Sequence, residues 1–342
     1  MNNFVLQTGQ RRCYDAAGHQ LPCTNSGQDA EYKSGQPWPQ PRFKLEGGVV
    51  VDNLTGLVWS QDANLAEFPL NWQEALDYVS SMNMNESFGF KDWRLPNRRE
   101  LRSLMSYQTK KPALPADHPF ANVFLGWYWT SSTAAINTAY AWYVHLEGAR
   151  MFYGRKDHYY LLWPVRGKSS ILPRTGQTKF YDASGREIDR ADTHQHSALQ
   201  SAVPWPKPRF QDNGFTVLDK LTNLVWLKNA DAAGMQLNWR EALRSVRELN
   251  KTKAGAIDHW RLPNINELES LVDAANHTPA LASDHPFMNV RDVYWSSTTS
   301  FFETDWAWAL YLDKGALGVG VKKNARFSVW PVCDAEPENP SC

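Results

Sequence analysis

Apolar residues recur at helical spacing in two stretches of the chain, and the same signals return in two later stretches. Trp72, Ala75, Leu76, Val79 and Met82 form a stripe on a helix that starts at Asn71, with Glu74 as its capping-box partner. Asn97 and Glu100 start a second helix, whose apolar face is Leu101, Leu104 and Met105. Asn238 with Glu241, and Asn264 with Glu267, repeat both starts, and Leu268, Leu271 and Val272 repeat the second face. Pro96 and Pro263 sit just before their caps, where a proline ring is harmless. Further on, the pattern alternates. Trp142, Val144 and Leu146 point to one side of a strand, as do Trp308, Leu310 and Leu312. Hairpins are expected to close at Gly148 and at Asp313-Lys314-Gly315. Residues 56–59 and 223–226 read as short strands, and Trp163 and Trp330 as the ends of final core strands.

Behind this pattern lies an internal duplication with a period of about 167 residues, long enough for a whole domain. Gly9-Gln10 recurs as Gly176-Gln177, and Tyr14-Asp15 as Tyr181-Asp182. Pro41-Arg42-Phe43 recurs as Pro208-Arg209-Phe210, and Leu57-Val58-Trp59 as Leu224-Val225-Trp226. Trp93-Arg94-Leu95-Pro96-Asn97 returns at 260–264, Asp117-His118-Pro119-Phe120 at 284–287, Tyr128-Trp129 at 294–295 and Trp163-Pro164-Val165 at 330–332. We therefore expect an α+β protein of two tandem domains, residues 1–168 and 169–342. Each should have two short helices, a small antiparallel sheet and long loops. The stretch 167–174 reads as a short linker. Phe180 stands opposite Cys13, so the first third of repeat two is expected to be looser.

Composition narrows the class. Lys and Arg number 36 and Asp and Glu 36, so no global field recruits nucleic acid or an anionic membrane. No apolar run approaches the roughly 18–20 residues of a membrane-spanning helix. Met1-Asn2-Asn3 lacks the basic and apolar regions of a signal peptide, which suits either a cytosolic chain or a mature form without its leader. The 16 Trp, 20 Pro and 13% aromatic content favour loop-rich β structure. The four Cys fall into two close pairs, read as disulfides Cys13–Cys23 and Cys333–Cys342. Free buried thiols are the alternative, and the spacing is not that of a zinc site. Disulfides imply an oxidising compartment: extracellular or cell-surface, with the periplasm as the other option.

The Leu-Thr-Gly-Leu-Val-Trp segment, the Trp-Arg-Leu-Pro-Asn helix start, the Tyr-Trp-Thr-Ser-Ser strand and the closing Trp-Pro-Val strand resemble the DUF1566 family, the C-terminal domain of the Legionella collagen-like adhesin. The resemblance covers both repeats almost end to end. It implies a variant of the C-type lectin fold, related in shape to formylglycine-generating enzymes and to the variable receptor-binding proteins of diversity-generating retroelements. It also implies export. The adhesin binds sulfated glycosaminoglycans, whereas most members have no assigned ligand, so function follows only loosely.

Candidate chemistry is sparse. Asp117-His118 and Asp284-His285 are adjacent pairs that rarely aim at one point. Ser131, Ser132, Ser296 and Ser297 lack the surroundings of a nucleophile. Late cysteines of the kind used by formylglycine-generating enzymes reduce here to Cys333 and Cys342. No cofactor is expected. Calcium is the one metal left open, on Asp52, Asn53, Asp62 and Asn64, or on Asp219, Asn229 and Asp231. Tryptophans matched between repeats, such as Trp59 and Trp226, read as core, and unmatched aromatics as ligand candidates. Tyr140, Tyr143, Phe152, Tyr153, Tyr159 and Tyr160, with Phe301 and Phe302, fall in the late region. Basic residues accompany them: Arg150, Arg155, Lys156 and His158, then Lys314, Lys322, Lys323 and Arg326. The ligand-binding set expected is Tyr140, Arg150, Phe152, Tyr153, Arg155, Lys156, His158, Phe301, Phe302, Lys322 and Lys323. The reading is a non-enzymatic adhesion protein that binds a glycan or extracellular protein, and not nucleic acid, through late-strand loops. The rival is a structural protein that self-assembles into a surface layer or fibre; homo-oligomerisation is left open.

Overall fold

The computed structural model describes residues 4–189 and 202–335. Each repeat consists of a leading arm and a body. Arm one carries the hairpin β1 (Cys13–Tyr14) and β2 (Gln20–Leu21) and the single turn α1 (Asp29–Tyr32). Body one holds β3 (Phe43–Glu46), β4 (Val49–Asp52) and β5 (Val58–Ser60), then α2 (Trp72–Met84) and α3 (Arg98–Ser103). The antiparallel meander β6 (Trp127–Thr133), β7 (Tyr140–His145) and β8 (Met151–Arg155) follows, and β9 (Val165–Arg166) returns beside β5. Repeat two has the arm hairpin β10 (Phe180–Tyr181) and β11 (Glu187–Ile188), then β12 (Phe210–Asp212), β13 (Thr216–Asp219) and β14 (Leu224–Leu227). Its helices are α4 (Trp239–Lys251) and α5 (Ile265–Leu271), its meander β15 (Val293–Thr299), β16 (Trp306–Tyr311) and β17 (Ala316–Val321), and its closing strand β18 (Val332–Asp334).

Local chemistry explains the helix starts. Asn71, Asn97, Asn238 and Asn264 cap their helices with full capping boxes, as the spacing predicts. The Trp-Arg-Leu-Pro-Asn motif is a closed unit. Arg94 pairs with Glu100 and Arg261 with Glu267, inside the protein, and the same glutamates complete the caps. The repeated Pro-Arg-Phe serves a second buried pair, Arg42 with Asp52 and Arg209 with Asp219. Two boundaries differ from expectation. Gly56 is a positive-φ turn, so β5 starts at Val58, and the closing strands start at Val165 and Val332, just beyond the buried Trp163 and Trp330.

The two meanders join. Strand β17 pairs antiparallel with β8 through Leu317 and Met151, giving one six-stranded sheet in the order β15-β16-β17-β8-β7-β6. These residues occupy matching positions, so a pseudo-two-fold axis passes between them. One apolar cluster spans both repeats, with Leu101, Trp142 and Val144 beside Leu268, Trp308 and Leu310.

The arms are exchanged across this axis. Arm one lies on body two: Gln10 donates to the Thr299 carbonyl and accepts from its amide, at 2.8 and 3.0 Å. Arm two lies on body one, where Gln177 makes the same pair of bonds to Thr133 at 3.4 and 3.2 Å. Thr304 donates to the Gly18 carbonyl, and Thr138 to that of Gly185. The stretch read as a linker is packed instead: Ser169 and Leu172 are buried and Pro173 bridges Val203. In the described part of the arm of repeat two, Phe180 is buried and pairs with Ile188 as Cys13 pairs with Leu21. Cys13 and Cys23 form the expected disulfide. Cys333 is buried in β18, and its expected partner Cys342 lies outside the described residues.

Candidate functional site

Strand alternation divides the late aromatics between two faces of the shared sheet. Tyr140, Trp142 and Val144 face inward, opposite Arg155, Tyr153 and Met151. Tyr143 and His145 face outward, with Phe152 beside Tyr143 and with Trp129 and Trp127 across β6. Helix α2 packs over the Trp129 and Ala141 end of the outer face. The other end is open.

Along it runs a file of rings. Trp129 meets Tyr160 at 4.7 Å between centroids, Tyr160 meets Tyr143 at 4.7 Å, and Tyr143 meets Trp127 at 4.6 Å. Trp127 in turn meets His145 at 4.5 Å and Phe152 at 6.2 Å, all in tilted or edge-on geometries that suit ring quadrupoles. The rings are fixed. Trp129 Nε1 donates to the Leu70 carbonyl, the Tyr143 hydroxyl donates to the Tyr153 carbonyl, and His145 Nδ1 lies 3.0 Å from the Glu147 carbonyl. Tyr143 lies so close over Gly154 that a Cβ there would come within 2.7 Å of the ring. Burial and the neighbouring Tyr160 raise the Tyr143 hydroxyl pKa, so it stays protonated and polar. Phe152 is 37% exposed and Tyr159 62%, while Trp127, Tyr143, His145 and Tyr160 are half-buried. In repeat two Val293, Ala309 and Gly318 hold the positions of Trp127, Tyr143 and Phe152. Repeat two keeps a shorter file, Trp295 4.4 Å from Phe327 and Phe327 5.9 Å from Tyr311, so only the extension through Trp127, Tyr143 and Phe152 belongs to repeat one.

The expected ligand-binding set is scattered. Phe152 lies on this face, and His158 stands exposed 6.3 Å from Tyr160. Tyr140 and Tyr153 turn inward, 6.1 Å apart, with Tyr153 against Trp142. Exposed Arg155 pairs with Asp157. Arg150 lies 5.7 Å over the ring of Phe302, and Phe301 packs on Tyr14 of arm one, so these phenylalanines close the seam between repeats. Lys323 is exposed.

Lys156 and Lys322 must be corrected: they are 1% and 0% exposed and belong to the interior. Lys322 Nζ donates to the carbonyls of Tyr14, Asp15 and Thr304 and to the Thr299 hydroxyl. Lys156 Nζ donates to the carbonyls of Tyr181 and Asp182. Each ammonium also lies about 4 Å over a tryptophan, Trp72 for Lys156 and Trp239 for Lys322. Burial pushes both amines down to about 7. Their work is to clamp the exchanged arms.

Trp127 and His145 escaped the sequence reading. The signal was available: Trp127 alternates with Tyr128 as His145 does with Val144, and Trp127 has no aromatic counterpart in repeat two.

The other candidates have structural partners. His118 and His285 stack on Phe120 and Phe287, and burial lowers both imidazoles, while Asp117 and Asp284 are exposed. All four serines are buried; Ser132 Oγ accepts from the Arg98 amide, and Ser296 Oγ donates to the Trp308 carbonyl. Asp52 and Asp219 are held by Arg42 and Arg209, Asp62 by Asn122, and Asp231 by Arg291. Among the described residues no three His, Cys, Asp or Glu side chains gather as metal ligands, and no helix is long and apolar enough to cross a membrane.

The family model described as the Lcl C-terminal domain fits residues 48–166 and again residues 215–333. Both matches cover the bodies except their first strands, β3 and β12, and leave the exchanged arms outside. No curated protein matches the chain.

Proposed function

The chain belongs to the Lcl C-terminal domain family, and on that premise we propose that it is an exported, non-enzymatic binding protein that holds a glycan on the outer aromatic face of repeat one. The ring file from Trp129 to Phe152, open at one end and longer than the Trp295, Phe327 and Tyr311 file of repeat two, carries this reading. Rings presented edge and face suit the apolar C–H faces of a saccharide, and polar tips such as the Tyr159 hydroxyl suit its rim. Rings already fixed by packing lose little entropy on binding. The bodies are read as variants of the C-type lectin fold, with the meander supplying the ligand surface. The Cys13–Cys23 disulfide supports export to an oxidising compartment.

A glycan array on the purified full chain tests the proposal, with and without EDTA and at low and high salt. Binding is expected to survive EDTA. Trp127→Ala is expected to weaken it at least tenfold, which corresponds to about 1.4 kcal/mol. Lys323→Ala, in the exposed basic loop of repeat two, should leave it unchanged. Absence of binding under every condition overturns the reading. The arm exchange favours a second one. The same contacts made between chains would link copies into a layer or fibre, and concentration-dependent assembly without ligand would move the weight there.

A further inference from the structure

We propose that the ligand of the outer aromatic face is an uncharged polysaccharide, a polymer of hexoses or N-acetylhexosamines without sulfate, phosphate or carboxylate groups. This rests on the glycan reading and narrows its chemistry. The distribution of cations around the ring file carries it. Residues 45–90, which supply α2 and the loop that meets Tyr160 through Leu70, contain no lysine or arginine. The equivalent helix of repeat two, α4, carries Arg240, Arg244, Arg247 and Lys251, all exposed. Residues 122–161, which supply the rings, contain Arg150, Arg155 and Lys156, and each is committed elsewhere. Arg150 lies over Phe302 at the seam, Arg155 is bound to Asp157 through two nitrogens, and Lys156 is sealed beneath arm two.

The rim follows the same trend. The Phe124 amide donates to the Tyr128 hydroxyl as the Arg291 amide donates to that of Tyr294, so Phe124 stands where repeat two has Arg291. The Gly126 carbonyl accepts from Leu146 as the Asp292 carbonyl accepts from Leu312, so Gly126 replaces Asp292 and Leu125 is an insertion. Tyr159 precedes Tyr160 where Arg326 precedes Phe327. Phe124, Leu125 and Tyr159 are 53%, 44% and 62% exposed. Three positions charged in repeat two are thus uncharged around the ring file. An acidic polymer would be dehydrated here without gaining a counter-charge, a cost that a neutral sugar does not meet. The exposed Glu67 and Asp77 of the cation-free stretch add repulsion.

The test is calorimetric titration of the full chain with soluble β-glucan, mannan and chitin oligosaccharides, and with heparin, chondroitin sulfate and polygalacturonate. His145 and His158 are the remaining basic groups of residues 122–161, so the pH is held at about 8, above the ordinary imidazole range. Salt is set at about 0.01 M and about 1 M, across which the Debye length falls from roughly 30 to 3 Å. At least one neutral polymer is expected to bind, with an affinity that changes less than about threefold between the two salts. Phe152→Ser should weaken it by roughly tenfold or more. Tyr159→Arg, which restores the charge of repeat two outside any strand, should weaken it too. Lys110→Ala, at the turn beyond His145, should leave it unchanged. An acidic polymer bound more tightly than every neutral one, and lost in Phe152→Ser, overturns the inference and leaves the glycan reading standing. So does a neutral polymer whose affinity falls more than about tenfold with salt. No binding of any polymer overturns both.

Discussion

Lys322 and Asp29 show how a single buried charge ties an arm to the opposite body. The Lys322 ammonium rests on four oxygens drawn from arm one, from the last residue of β15 and from the loop after it. Lys322→Met keeps the bulk and the apolar stem but leaves those oxygens unpaired. It should cost roughly 1–3 kcal/mol in denaturant unfolding, and Lys156→Met, which frees two carbonyls, should cost less. Asp29 accepts from the hydroxyls of Thr8 and Thr298, and burial raises its carboxyl from 3.8 to about 6. The folded chain therefore binds this proton more tightly than the unfolded chain. Its contribution to stability is fully present below about pH 3.8 and is lost as pH rises through 6. Asp29→Asn is expected to flatten the decline in thermal midpoint over that window. An undiminished slope in the variant would show that another group causes it.

The arms carry the least regular structure among the elements and the greatest consequence. Arm one has two-residue strands and one turn of helix, too little to hold itself together, and the Cys13–Cys23 link supplies what packing cannot. Closing a loop of this length stabilises by roughly 2–3 kcal/mol. Reduction should therefore lower the thermal midpoint and open arm one to protease before arm two, where Phe180 replaces the cysteine with an apolar contact. Equal cleavage of both arms after reduction would contradict this. The sequence made the helices legible because a capping box and an apolar stripe are local. The arms are bound by distant partners, and periodicity carries no trace of them. Gly9-Gln10 and Gly176-Gln177 were visible as a repeat, but their purpose, a matched pair of bonds to Thr299 and Thr133, was not.

Seen as one molecule, the chain is a pseudo-dimer joined by a shared sheet, a shared core and reciprocal arms. A fragment of residues 1–168 would expose the β8 edge, the Arg98 to Arg102 face of α3 and the seat vacated by arm two. It is expected to associate with itself or fail to fold, and to recover when mixed with residues 169–342. Light scattering on the separated and mixed fragments checks this, and a stable, monodisperse monomer of 1–168 would show that the arms are dispensable.

What the residues determined by themselves were the duplication, the capped helices, the inward alternation of Trp142, Val144 and Leu146, the Cys13–Cys23 link and the family. Each rests on neighbours within a few positions or on recurrence of the same letters. Only the tertiary structure decided which charges are solvated and which aromatics are open. Lys156 and Lys323 look alike in sequence; one is sealed over Trp72 by an arm more than twenty residues away along the chain, the other faces solvent. Trp129 and Trp127 share a strand face, yet α2 covers the first and leaves the second at the surface. Burial is a property of what the rest of the chain packs against a residue, and that information is held by the whole fold.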